Sequence, residues 1–134
     1  LPADPTVSRA LAEAEMNARH FPEAARAYRA IIRADPDEDI AYNLLGYAEA
    51  FAGTPDAARE DFEQYGRRPG QATNALDSLG EAMFSNGRFA DAEKSFLEAY
   101  AKDPNFLMAE PLWKAAHARC GRWRRSGARP CRST

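Results

Sequence analysis

Residues 79–89 read LGEAMFSNGRF. Taken alone, the two glycines and the Ser-Asn-Gly-Arg string fit a catalytic turn, a phosphate-cradling loop or two structural glycines. The neighbouring sequence decides between them. Thirty-four residues earlier stands LGYAEAFAGTP at 45–55, and the same distance before that stands LAEAEMNARHF at 11–21. Leu11, Leu45 and Leu79 coincide, as do Ala12, Gly46 and Gly80. Further along each unit the same spacing relates Ala24, Ala58 and Ala92, then Tyr28, Phe62 and Phe96. Pro36, Pro69 and Pro104 close the units, with a slip of one residue at the middle one. Self-similarity at a fixed period of this length is the signature of a repeat architecture.

Within a unit the apolar spacing is helical. In the second unit Tyr42, Leu45, Ala48 and Glu49 share one helix face, and the break AGTPD follows. Ala58, Phe62 and Tyr65 then resume at i, i+4 and i+7, the mark of an amphipathic helix. Pro55 suits a first helical turn, and Thr54 before it is expected to cap the free amides. The closing prolines end the second helices, because proline donates no ladder hydrogen bond and clashes with the preceding turn. Each unit is therefore two antiparallel helices joined by a short turn. Gly87 and Gly53 end the first helices, so the Ser-Asn-Gly-Arg string is a turn between helices. A small residue at Ala12, Gly46 and Gly80 lets the paired helices approach, with Ala24, Ala58 and Ala92 expected opposite. Mid-helix glycine costs about 1 kcal/mol relative to alanine, so close packing must offset it.

The recurring Leu, small residue, Ala, aromatic and Pro resemble the tetratricopeptide repeat family. The resemblance spans units at about 5–38, 39–72 and 73–106 and a partial fourth first helix at 107–120, with Trp113 at the Leu slot. It departs at one slot, usually aromatic in the family, which holds Glu15, Glu49 and Met83. The fold class expected is all-α, a solenoid of antiparallel helix pairs in a right-handed superhelix whose first helices line a concave surface. A single pair cannot bury its apolar face, so neighbouring units complete each other's core. Leu112 and Trp113 would cap the third repeat; a poor cap would leave apolar surface that favours self-association.

Charge divides the chain unevenly. Residues 1–118 hold all 20 acidic residues against 12 lysines and arginines, a net charge of −8. Residues 119–134, RCGRWRRSGARPCRST, hold six arginines and no acid. This Arg-rich tail is expected to be disordered or the product of an altered reading frame, because it ends the repeat pattern and offers little to pack. Phosphate binding, with Trp123 stacking on a base, is the weaker alternative. The longest apolar runs fall far short of the roughly 20 residues that cross a bilayer, and no signal-peptide pattern opens the chain. A cytoplasmic location and no membrane partner are expected. The first residue is Leu, which suggests a fragment of something longer, for example the regulatory part of a bacterial enzyme such as a kinase.

Candidate chemistry is sparse. Asp35, Asp37 and Asp39 alternate as at the start of an EF-hand loop, but Ile40 and Gly46 stand where that loop needs Gly and Glu. They read as an exposed acidic turn near a helix N-terminus, where negative charge suits the dipole. His20 and His117 have no partner at a converging spacing, and Cys120 and Cys131 form no zinc-binding pattern. No phosphate-loop, nucleophile-elbow or zinc-protease motif occurs. Neither enzymatic activity nor a cofactor or metal is expected.

What remains is the concave surface. The resemblance places ligand-facing positions at Arg9, Glu13 and Asn17, at Asn43, Tyr47 and Phe51, and at Asn74, Asp77, Glu81 and Phe84. Relatives that hold the C-terminal carboxylate of heat-shock chaperones do so with a basic clamp. Here only Arg9 is basic among the clamp slots, and Glu13, Asp77 and Glu81 would repel a carboxylate. The expected partner is a peptide or helix with basic and apolar side chains, anchored on Tyr47 and Phe51. The chain is thus expected to be an interaction scaffold.

Overall fold

The computed structural model describes residues 4–106, 114–119 and 121, and the structural statements below concern these alone. Leu112, Trp113, both cysteines and, apart from Arg119 and Gly121, the Arg-rich tail lie outside the described residues. Six helices follow one another: α1 (Pro5–Asn17), α2 (Phe21–Ala34), α3 (Asp39–Phe51), α4 (Pro55–Gly66), α5 (Ala72–Ser85) and α6 (Phe89–Lys102). Residues 114–119 are also helical. Asp4 opens the array, its carboxylate accepting the Thr6 amide at 2.8 Å, with Pro5 behind it needing no amide partner.

Each odd-numbered helix packs on the even one that follows, and each even one on the odd helix of the next pair. In addition α3 lies directly against α5. The interior is shared between pairs, as a stacked repeat requires. Ala12, Tyr28, Ile31 and Leu45 belong to one apolar cluster spanning α1 to α3. Ala50, Phe62, Leu79, Met83 and Phe96 belong to a second, spanning α3 to α6. Met83, at the slot that is usually aromatic, is fully buried there. Ala116 is buried in the same cluster, so the helical residues after α6 seat on the third pair.

The close approach of paired helices differs from expectation in one respect. The group facing each glycine is an aromatic ring rather than an alanine. A Cβ on Gly46 would lie 2.7 Å from the Phe62 ring, and one on Gly80 would lie 2.3 Å from Cε1 of Phe96. Ala58 and Ala92, fully buried, sit one helical turn earlier than these rings. A flat ring lies against the bare helix backbone, in the space a Cβ on the glycine would need. In the first pair Ala12 and Tyr28 hold these positions, both buried in one cluster.

A second correction concerns Thr54, which stands at the N-cap of α4 but makes no capping bond. Its hydroxyl turns back instead, 2.8 Å from the Glu49 carbonyl oxygen and 2.5 Å from Glu49 Oε2. The buried Glu49 carboxylate is the stronger acceptor and wins the proton.

The three turns inside the pairs close identically. The amides of His20, Thr54 and Arg88 bond to the carbonyls of Glu15, Glu49 and Met83, each at 2.9 Å. The amides of Arg19, Gly53 and Gly87 bond to Met16, Ala50 and Phe84. This is the Schellman termination, which needs a left-handed residue after the helix. Gly53 and Gly87 supply it with φ of 89° and 73°, but in the first pair Arg19 does so at φ 63°. A side chain there costs about 1–2 kcal/mol. Arg19→Gly is expected to raise the melting temperature by about 4–8 °C, and Gly87→Ala to lower it comparably. An unchanged melting temperature for Arg19→Gly would show that its stacking over Phe21, 5.9 Å from the ring centre, offsets the strain.

Candidate functional site

The candidate groove residues separate into groups once the helices are in place. Arg9 on α1 is engaged, its guanidinium 2.6 Å from Glu38 at the start of α3. Asn74 is also occupied: its amide donates to the Tyr65 hydroxyl at 2.8 Å, which in turn donates to Gln71 at 2.7 Å. Phe84 packs against the second core cluster and meets Phe89 edge to face at 5.1 Å. Arg119 lies 5.9 and 5.8 Å from the centres of those two rings, a cation–π arrangement that ties the helix after α6 to the third pair. Glu13 and Asn17 are exposed on α1.

The remaining candidates converge where α3 faces α5. Asn43 and Tyr47 are one turn apart on α3, as Asp77 and Glu81 are on α5. The Tyr47 hydroxyl donates to Glu81 Oε2 at 2.5 Å. Tyr47 is half-buried; its ring meets Phe62 edge to face at 5.3 Å and Phe51 in a stack at 6.0 Å. Phe51 in turn lies 5.2 Å from Phe21 and is 45% exposed, leaving an aromatic face open at the end of α3. Burial raises the Tyr47 hydroxyl well above the usual tyrosine range; the Glu81 bond and the nearby Glu81 and Asp77 charges raise it further. Tyr47 therefore acts as a neutral donor.

Asp77 and Asn43 are buried, 7% and 8% exposed. Asp77 Oδ1 and Asn43 Oδ1 have no hydrogen-bond partner. Burial, with the Glu81 charge second, pushes the Asp77 carboxyl up to about 6. The acidic strip seen in the sequence is thus partly desolvated and short of protons.

Spacing within helices did not reveal the ionic ties between helices. Glu49 sits in the usually aromatic slot and pairs across the pair boundary with Arg29. Arg68 stacks over Tyr42 at 4.8 Å and reaches Asp37 and Asp39, each at 3.4 Å. Asp61 on α4 is likewise pushed up to about 6, mostly by burial. A polar residue in an apolar slot, as at Glu49, is the one sequence signal that points to such a tie. Among the described residues no group of three or more His, Cys, Asp or Glu side chains is placed to hold a metal ion. No helix among them is long and apolar enough to cross a membrane.

Helix pairs at a 34-residue spacing, closed by the same turn and sharing interior residues, define an all-α helical-repeat solenoid. Residues 9–72 match the family model described as tetratricopeptide repeat. The chain is also 27% identical over 90 residues to small glutamine-rich tetratricopeptide repeat-containing protein 2 of Mycosarcoma maydis. That alignment covers 67% of this chain and 26% of that protein, so the chain matches about a quarter of the relative's length. Both matches support tetratricopeptide repeats in this chain, and such repeats generally mediate protein–protein interactions.

Proposed function

We propose that the chain is a non-enzymatic, cytoplasmic interaction scaffold. Its groove, lined by α1, α3 and α5, binds a peptide or helical segment carrying apolar and basic side chains. The observation that carries this is the open aromatic face of Phe51 and Tyr47 beside the acidic Asp77–Glu81 strip. An exposed aromatic at the mouth of a partly desolvated acidic surface suits an apolar anchor followed by a cation. A chaperone-type C-terminal carboxylate fits poorly, since Arg9 is held by Glu38 and the rest of the strip is acidic.

The test is peptide selection on the full chain from a phage-displayed random library, followed by fluorescence anisotropy of the selected peptides. Phe51→Ala is expected to weaken them at least about tenfold, the effect of an interface anchor worth about 1.4 kcal/mol. Leu97→Ala, an exposed apolar residue on α6 away from the groove, is expected to leave binding unchanged. Equal binding by the wild type and Phe51→Ala, or no selectable peptide, would remove the groove reading.

A further inference from the structure

Two buried oxygens on the α3–α5 face receive no proton from the chain. Asn43 and Asp77 stand at the same place in successive repeats, and Oδ1 of each lacks a donor. The Tyr47 hydroxyl of the same cluster gives its single proton to Glu81. Among the described residues no lysine or arginine forms an ion pair with Asp77 or Glu81. In the first repeat the equivalent position is the basic Arg9, and it is turned to Glu38. The carboxyl of Asp77 and that of Glu81 thus sit within each other's influence with no cation between them. Two like charges side by side in a partly desolvated place are poorly satisfied until a cation arrives.

We propose that Asn43, Asp77 and Glu81 form a receptor for the guanidinium of an arginine on the bound segment, with the Tyr47 ring as its flat wall. The inference rests on the groove reading and narrows it to one side chain. The acceptors come from two helices, so a ligand that offers several donors at once can satisfy more than one of them. Guanidinium presents five in a planar fork, stacks on aromatic faces and gives up its hydration more readily than an ammonium. A lysine ammonium is compact and strongly hydrated, and loses more on entering a site of this burial. The receptor is carried on two packed helices, which fixes the acceptors before the ligand arrives.

The probe is N-acetyl-L-arginine N-methylamide, titrated into the full chain and followed by backbone amide NMR. Saturable shifts are expected around residues 43–47 and 77–81, with a dissociation constant in the millimolar range, about what so small a ligand can reach. The lysine analogue is expected to bind at least about fivefold more weakly, and the uncharged citrulline analogue not to saturate. Asp77→Asn should abolish the arginine response without lowering the melting temperature, which separates lost recognition from lost folding. Leu97→Ala, on α6 away from the groove, should leave the arginine response intact. A non-saturating response to arginine, an equal response to lysine or citrulline, or full binding by Asp77→Asn overturns the receptor. If selected peptides still depend on Phe51 in that case, the groove reading survives; an arginine response with peptides indifferent to Phe51 leaves only the receptor.

Discussion

Gly80→Val is expected to destabilise the chain by about 3 kcal/mol and to lower its melting temperature by more than about 10 °C. The site has no slack. A Cβ at Gly80 falls 2.3 to 2.7 Å from three atoms of the Phe96 ring, and that ring is completely buried. It lies in the cluster that also contains Leu79, Met83 and Ala92, so yielding to the new side chain would disturb the third pair's interior. Gly80→Ala gains about 1 kcal/mol of helix propensity and forfeits more through overpacking, for a net loss of about 1–2 kcal/mol. Phe96→Ala, which empties the same contact, should cost about 3–5 kcal/mol. The distinguishing measurement is the double variant Gly80→Val, Phe96→Leu, whose denaturant midpoint should recover part of the valine loss. Strictly additive losses would show that the ring is not what the glycine makes room for.

Lowering the pH from about 7.5 to 5 should strengthen the fold, as far as Asp61 and Asp77 govern it. Both carboxyls are held near 6 in the folded chain, mostly by burial, against about 3.9 when unfolded. A raised acid stabilises the fold fully below its unfolded value, where both states are protonated. That contribution is lost as the pH rises through about 6, because the unfolded chain ionises freely while the folded chain resists. At neutral pH Asp77→Asn should therefore raise stability by about 1–3 kcal/mol and flatten the pH profile between 4 and 7. Asn43 at the equivalent position shows that an amide fits. A drop in stability at pH 7.5 for Asp77→Asn would contradict the burial cost assigned to the carboxylate. The combination of a more stable fold and lost arginine recognition is the trade between stability and function common to binding sites.

Much of the architecture was legible because it is local and periodic. Each pair repeats one set: Leu45 and Leu79, the small residues beside them, and the buried rings of Phe62 and Phe96. Thirty-four residues separate each from its copy, so one sequence displays the same decision three times. Gly53 and Gly87 announced their left-handed turn for the same reason, since glycine alone adopts it without strain. Arg19 holds the same slot of the repeat, and the turn imposes on it a left-handed conformation that its own preferences oppose.

The polar face was only half legible. Spacing put Asn43, Tyr47, Asp77 and Glu81 on the same side of their helices. It could not separate them from Asn74, whose amide is bound to Tyr65, or Phe84, which packs inward. Nor could it find the partners of Glu49, Thr54 and Arg68, which come from other helices or turn away from the role their sequence neighbours suggest. The sequence by itself determined the repeat and the helix pairs, since these follow from periodicity and backbone preference. Only the tertiary structure decided which polar groups are buried, which are paired and which are left wanting a donor. Burial and pairing depend on how neighbouring repeats stack, and no single helix encodes that.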